Sequence, residues 1–156
     1  MTDRVVAHQG AACWATLFTH AHYLPCLAVL LQSMRACQTR YPLVVMLTET
    51  VDARTRERLA RMGCVLRDVD AWRVPHADGS LAFERFQNVW TKLRAFELYE
   101  YERVVMIDSD MLMCHNMDEL FDLPLERGMI AAAFACTCNP KQIPTCLLYT
   151  SPSPRD

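Results

Sequence analysis

Apolar positions change their period several times along the chain, and each change marks an element. Residues 14–19 (WATLFT) are strand-like, and after HAHYLP the side chains of Leu24, Leu27, Ala28, Leu31 and Met34 recur at helical spacing. Pro25 suits the first turn of that helix. YPLVVMLTE predicts a second, buried strand. DARTRERLARMG predicts a helix capped by Asp52 and closed by Gly63, and CVLRDVD a third strand. A looser connection, VPHADGSLAFERFQ, leads into a helical pattern of Val89, Trp90, Leu93 and Phe96. Residues 104–107 (VVMI) follow without polar alternation, which reads as a strand covered on both faces and ending deep. Asn116 with Glu119 three positions on resembles a capping box for a short helix, with Leu120 and Phe121 as its apolar contact. MIAAAFAC (residues 129–136) reads as a further strand, whose small side chains leave room beside a site.

Alternating strands and helices predict an α/β fold, a Rossmann-like, mostly parallel sheet flanked by helices with right-handed crossovers. Ligands of such sheets sit at the carboxyl ends of the strands, and Asp108 and Asp110 lie at such an end.

Composition narrows the partners. With 156 residues, 52% of them hydrophobic and 22% charged, and a net charge of -2, the chain suits one α/β domain with a sizeable core and not a disordered tail. No basic stripe offers itself to nucleic acid; Arg54, Arg56, Arg58 and Arg61 read as the solvated face of a helix. The longest apolar stretch, residues 24–31, is too short to span a bilayer, and MTDRVVAHQG lacks the shape of a secretory signal, so the cytoplasm is the expected compartment. Of eight cysteines, Cys26, Cys37 and Cys64 fall among apolar neighbours and are expected to be reduced core thiols. Cys136 and Cys138 form a C-x-C without a second pair at zinc-ligand spacing.

The end of the chain departs from the pattern. CLLYTSPSPRD contains two Ser-Pro steps, and one reading frame of a transposase adapter used in sequencing libraries translates as Cys-Leu-Leu-Tyr-Thr-Ser, matching residues 146–151. Residues 146–156 are therefore read as a non-native scar and residues 1–145 as the amino-terminal, incomplete part of a domain, with a genuine Pro/Ser tail as the alternative.

The chemistry centres on RVVMIDSDMLMCHNMDELF. On an extended segment residues two apart point to the same side, which brings the carboxylates of Asp108 and Asp110 together and turns Ser109 away. Like charges so close repel, and partial burial adds to the conflict. A divalent cation resolves it, and hard oxygen ligands suit Mg²⁺ or Mn²⁺ with positions left open for phosphates. The rival reading is a chance Asp-x-Asp in which Asp108 caps a turn. Its place at the end of a buried strand in a nucleotide-type fold favours the cation.

Four segments in order also resemble one family. VVMIDSDMLMCHNMDELF is similar to the D-x-D segment of glycosyltransferase family 8, the glycogenin and galactinol synthase relatives. ATLFTHAHYLPCLAVLLQSMR resembles the family's first strand and helix, YPLVVMLTETV its second strand, and TKLRAF its Thr-Lys-Leu helix. The resemblance covers residues 14–145 and implies a GT-A nucleotide-sugar-binding domain. It implies that Leu17, Thr19 and Tyr23 line the uridine pocket, with the Tyr23 ring offered to the base. Tyr23 as a mere packing residue at the helix entry is the competing view. Lys92, otherwise an ordinary exposed lysine, would lie near the donor's phosphate or sugar as the catalytic cation. Asp108 and Asp110 would hold Mn²⁺ or Mg²⁺, and Ser109 would touch the ribose.

His20 and Ala21 stand where relatives often carry Asn or Ser followed by Asp, so one polar contact to the nucleotide would be altered or lost. His22 and His115 read as solvated. The family's third metal ligand, a histidine, comes from a segment beyond residue 145, as does its acceptor-binding part. The implied reaction is hexosyl transfer from a UDP-sugar to an acceptor hydroxyl with retention of configuration, weak or absent in the chain as it stands. A non-catalytic nucleotide-sugar binder and a nucleotidyltransferase on the same fold remain alternatives. A metal-dependent phosphohydrolase would want a second acidic cluster at a strand end.

Overall fold

The computed structural model describes residues 12–72, 90–126 and 128–132. Two compact units divide the chain, Met1–Asp122 and Leu123–Asp156. The first contains a parallel sheet of four strands among the described residues: β1 (Ala12–Phe18), β2 (Leu43–Leu47), β3 (Val65–Asp68) and β4 (Arg103–Met106), in the order β3-β2-β1-β4. β1 pairs with β2 from Trp14 opposite Leu43 to Phe18 opposite Leu47, and with β4 from Ala12 opposite Arg103 to Ala15 opposite Met106. The expected α/β class holds.

Burial follows from position in the sheet. β2 is buried along its whole length and β1 nearly so, because each has a neighbour on both sides and packing on both faces. The two-sided apolar signature of residues 104–107 is only partly realised: β4 is the edge strand among the described residues, and its four residues are half-buried. Only Ile107, just beyond it, is fully buried.

One face of the sheet, through Trp14, Phe18, Leu43, Val45 and Leu47, packs with helices α1 (Leu24–Ala36) and α2 (Ala53–Arg61). Cys13, Ala15, Val44 and Met46 of the opposite face meet Leu98. Leu24, Leu27, Leu31 and Met34 of α1 are buried as their spacing predicts, and so are Leu30 and Ser33. Pro25 sits in the first turn. The Asp52 carboxylate caps α2, accepting the Thr55 N–H at 3.0 Å and the Thr55 hydroxyl at 2.8 Å. Gly63 ends that helix at φ +84°, and a Cβ there would also come within 3.1 Å of the Arg35 guanidinium.

Several expectations change in the folded chain. Arg54, Arg58 and Arg61 are solvated, but Arg56 is half-buried: it donates to the carbonyls of Val51 (2.9 Å) and Thr48 (3.0 Å) and pairs with Asp68, tying the β2–α2 turn to β3. Cys64 is buried and Cys37 half-buried, whereas Cys26 lies exposed on α1; Cys13 is the further core thiol. All five described cysteines are free. Cys136 and Cys138 lie outside the described residues.

The helical pattern through Trp90, Leu93 and Phe96 forms a 3-10 helix, Thr91–Glu97, with all three side chains exposed. Spaced three apart, these side chains fall on one face of a three-residue turn, and that face is the exposed one. Val89 is outside the described residues. A further 3-10 helix, Asp118–Asp122, follows Asn116, whose Oδ1 accepts the Asp118 N–H at 2.8 Å. Glu119 is exposed, and the Asn116 amide instead donates to the carbonyls of Cys37 and Gln38. In the second unit residues 129–132 of the expected small-residue strand are not in a strand; the remainder lies outside the described residues.

Among the described residues no helix is long and apolar enough to cross a membrane.

Candidate functional site

From β1 the chain steps to β2 and β3 on one side, then returns to place β4 on the other side of β1. The carboxyl ends of β1 and β4 thus flank a topological switch point, where open α/β sheets leave a crevice for ligands. A cavity of about 170 Å³ opens there, lined by Leu17, Thr19, Tyr23, Lys92, Asp108, Ser109 and Asp110. These are the seven positions that the family resemblance implies, brought together from four separate stretches of chain.

β1 delivers Leu17 and, one residue past its end, Thr19. The buried Thr19 side chain hydrogen-bonds His20 Nδ1 at 2.8 Å, so the histidine at the departure position makes a polar contact within the protein. The Thr50 hydroxyl donates to the Thr19 carbonyl at 2.6 Å and lies 2.7 Å from the Thr48 hydroxyl, which anchors this end of β1 to the loop after β2. Tyr23 is the N-cap of α1, a residue 38% exposed, and its ring packs on His22 with 4.1 Å between ring centroids. It is therefore both a packing residue at the helix entry and an accessible aromatic face. His22 and His115 are exposed as expected.

Lys92 comes from the helix Thr91–Glu97. That helix is seated by Thr91, fully buried, whose hydroxyl accepts the Trp72 N–H at 3.0 Å, and by Arg94, which donates to the Asp70 carbonyl and lies 5.2 Å over the Trp72 ring. The Lys92 ammonium reaches Asp108 Oδ1 at 2.5 Å, with the two side chains 36% and 50% exposed.

The aspartates do not sit on an extended strand. The β-ladder gives out after Ile107, whose N–H still bonds the Ala15 carbonyl at 2.9 Å, and residues 108–111 form a turn closed by the Met111 N–H on the Asp108 carbonyl at 3.2 Å. Both carboxylates are exposed, so burial does not penalise their charge; what unites them is one turn and one cavity. Two carboxylates from positions two apart in one turn, open to solvent, are hard oxygen donors of the kind that fit part of the shell of a Mg²⁺ or Mn²⁺ ion. Among the described residues no group of three or more His, Cys, Asp or Glu side chains assembles as a metal site.

A second cavity of about 230 Å³ lies past the ends of β2 and β3, lined by Leu47, Glu49, Asp68, Val69, Asp70 and Glu97. Its four acidic residues make it unsuited to an anionic ligand, whereas the first cavity pairs an ammonium with its carboxylates.

Comparison with known proteins gives the family. The family model described as glycosyl transferase family 8 matches residues 15–144. Galactinol synthase 5 of Arabidopsis thaliana is 30% identical over 139 residues, which is 88% of this chain and 41% of that protein. Galactinol synthase 2 of Solanum lycopersicum is 32% identical over 110 residues, 70% of this chain and 32% of that protein. Galactinol synthase 2 of Ajuga reptans is 33% identical over 110 residues, 70% of this chain and 37% of that protein. The chain thus spans about two fifths or less of the length of these curated relatives.

Proposed function

The chain belongs to glycosyl transferase family 8, and from that premise we propose that the crevice between β1 and β4 receives a UDP-sugar, whose hexosyl group passes to an acceptor hydroxyl with retention of configuration. The observation that carries this reading is the convergence of an aromatic face, an ammonium and two carboxylates on one cavity at the switch point. Each suits one part of the donor. Tyr23 offers its ring to the uracil, beside Leu17 and Thr19; stacking on an aromatic face is worth about 1–3 kcal/mol per base. Ser109 faces the ribose, and Lys92 the diphosphate or the sugar.

Asp108 and Asp110 are the residues that would hold Mn²⁺ or Mg²⁺. When bound, that ion supplies positive charge opposite the departing diphosphate. The remaining work falls to this chain's own groups. Lys92, now held by Asp108, turns its ammonium to the phosphate oxygens as their charge grows and acts as the catalytic cation. No side chain lining the cavity is placed as a covalent nucleophile once both aspartates are committed to the cation, so the acceptor approaches from the face the diphosphate leaves.

Calorimetry of the full-length protein with UDP tests the reading. Mn²⁺ is expected to raise UDP affinity, and changing both Asp108 and Asp110 to Asn to abolish that gain. Equal affinity with and without the cation refutes it. Incubation with UDP-sugars is expected to release UDP; consumption of added pyrophosphate with formation of UTP and a sugar 1-phosphate instead would assign a nucleotidyltransferase.

A further inference from the structure

The buried Ser33 of α1 makes a contact that its place in sequence does not announce. A serine inside a helix ordinarily turns its hydroxyl back on the preceding turn. Ser33 does so, donating to the Leu30 carbonyl at 2.7 Å, which leaves its oxygen lone pairs free. One of them accepts the N–H of Met113 at 3.0 Å, in the interior and eighty positions away in sequence. One helical turn further, Cys37 Sγ lies 3.4 Å from the Met113 carbonyl and donates to it. Both polar groups of Met113 are thus gripped by side chains four apart on the α1 face, and its own side chain is buried.

Residues 107–113 consequently form a loop tied at both ends. Ile107 is bonded to β1 at one end, Met113 to α1 at the other, and the turn bearing Asp108, Ser109 and Asp110 lies between. Ser33 does not line the cavity. It lies about 14 Å along the helix from Leu24, and its bond to Met113 is what links it to the turn that does line the cavity.

We propose that Ser33 is a positioning residue for the aspartate turn: by accepting the Met113 N–H it fixes the far end of the loop and holds Asp108 and Asp110 at the cavity. The inference rests on the function proposed above. Without the hydroxyl, the Met113 N–H is left unpaired in the interior, the loop samples other conformations, and apparent affinity for cation and diphosphate falls with the fraction that remains competent.

The test is calorimetry on the full-length protein with UDP, with and without Mn²⁺, alongside thermal unfolding. Ser33→Ala is expected to reduce the Mn²⁺-dependent gain in UDP affinity about tenfold, the scale set by one unpaired buried group, and to lower UDP affinity without Mn²⁺ by much less, through Ser109 alone. Ser33→Thr, which keeps the hydroxyl, is expected to restore the gain. Leu59→Val trims the core near the end of α2 and is expected to lower the melting temperature while keeping the full gain. Wild-type gain in Ser33→Ala, or an equal loss in Leu59→Val, overturns the positioning role alone. A wild type without any Mn²⁺-dependent gain overturns the proposed function and this inference together.

Discussion

Replacing Asp118 with alanine removes the hub that fastens the segment after the aspartate turn to the end of α1. The side chain is 4% exposed. Its carboxylate accepts the Thr39 hydroxyl at 2.5 Å, the Arg40 N–H at 2.9 Å, Arg40 Nε at 3.3 Å and the Asn116 amide at 3.4 Å. Thr39 in turn accepts the Trp14 indole N–H at 2.8 Å, so the network reaches the core. The Arg40 side chain is 69% exposed, so the ion pair itself adds little. The two short bonds decide the magnitude: hydrogen bonds to a charged acceptor contribute about 1.5–3 kcal/mol each, partly offset by the desolvation of the carboxylate. Asp118→Ala is therefore expected to destabilise by about 3 kcal/mol, roughly 10 °C in melting temperature for a domain of this size. Asp118→Asn, which keeps one acceptor, should lose about half of that.

The same residue sets a pH dependence. Burial pushes the Asp118 carboxyl up, but hydrogen bonds from Thr39, then Arg40 and Asn116, outweigh it and hold the group below the usual carboxylate range. A group depressed in the folded state stabilises fully above its unfolded pKa, about 4, and the contribution disappears as pH falls through the folded value. Urea unfolding from pH 7 to pH 2 should show a wild-type acid limb below about pH 4 that is flatter in Asp118→Asn. An Asp118→Ala protein within about 0.5 kcal/mol of wild type, or an unchanged acid limb in Asp118→Asn, would refute the argument.

Lys92→Met should leave the melting temperature within about 2 °C of wild type, because the Lys92–Asp108 pair is half-exposed, yet slow sugar transfer by the full-length protein about 100-fold; wild-type turnover would exclude a catalytic Lys92. Burial, with Glu100 adding to it, raises the Cys13 thiol to about 12, and burial raises Cys64 to about 11 against a smaller opposing effect of Arg35. Cys26 and Cys114 are exposed. Brief iodoacetamide treatment of the native protein at about pH 8, read by peptide mass mapping, should label Cys26 and Cys114 ahead of Cys13 and Cys64; early labelling of Cys13 would contradict the burial.

How much of this was legible in the chain depended on whether local physics sufficed. Runs such as YPLVVMLTE, the Asp52 cap and the Gly63 stop announce their elements because each is decided within a few residues. The residues that line the first cavity were legible through the order of motifs in the family resemblance, TKLRAF and IDSDM above all, rather than through periodicity. Where the chain leaves the β-ladder was not legible: a spacing of two implies same-side side chains only while the backbone stays extended, and here it turns at Asp108. Arg56 reads as one more solvated arginine, since nothing local reveals that the β2–α2 turn leaves carbonyls for it to satisfy.

The sequence by itself thus determined the alternation of strands and helices, the places where helices start and stop, and which residue types stand near the strand ends. Only the tertiary structure decided that β4 joins β1 on the side opposite β2, so that Lys92, Tyr23 and the two aspartates share one crevice. It also decided that a serine buried in α1 meets the backbone of Met113. Propensity and patterning act over a few residues, whereas strand order and long-range hydrogen bonds are settled by which packing buries the most apolar surface and leaves the fewest polar groups unpaired.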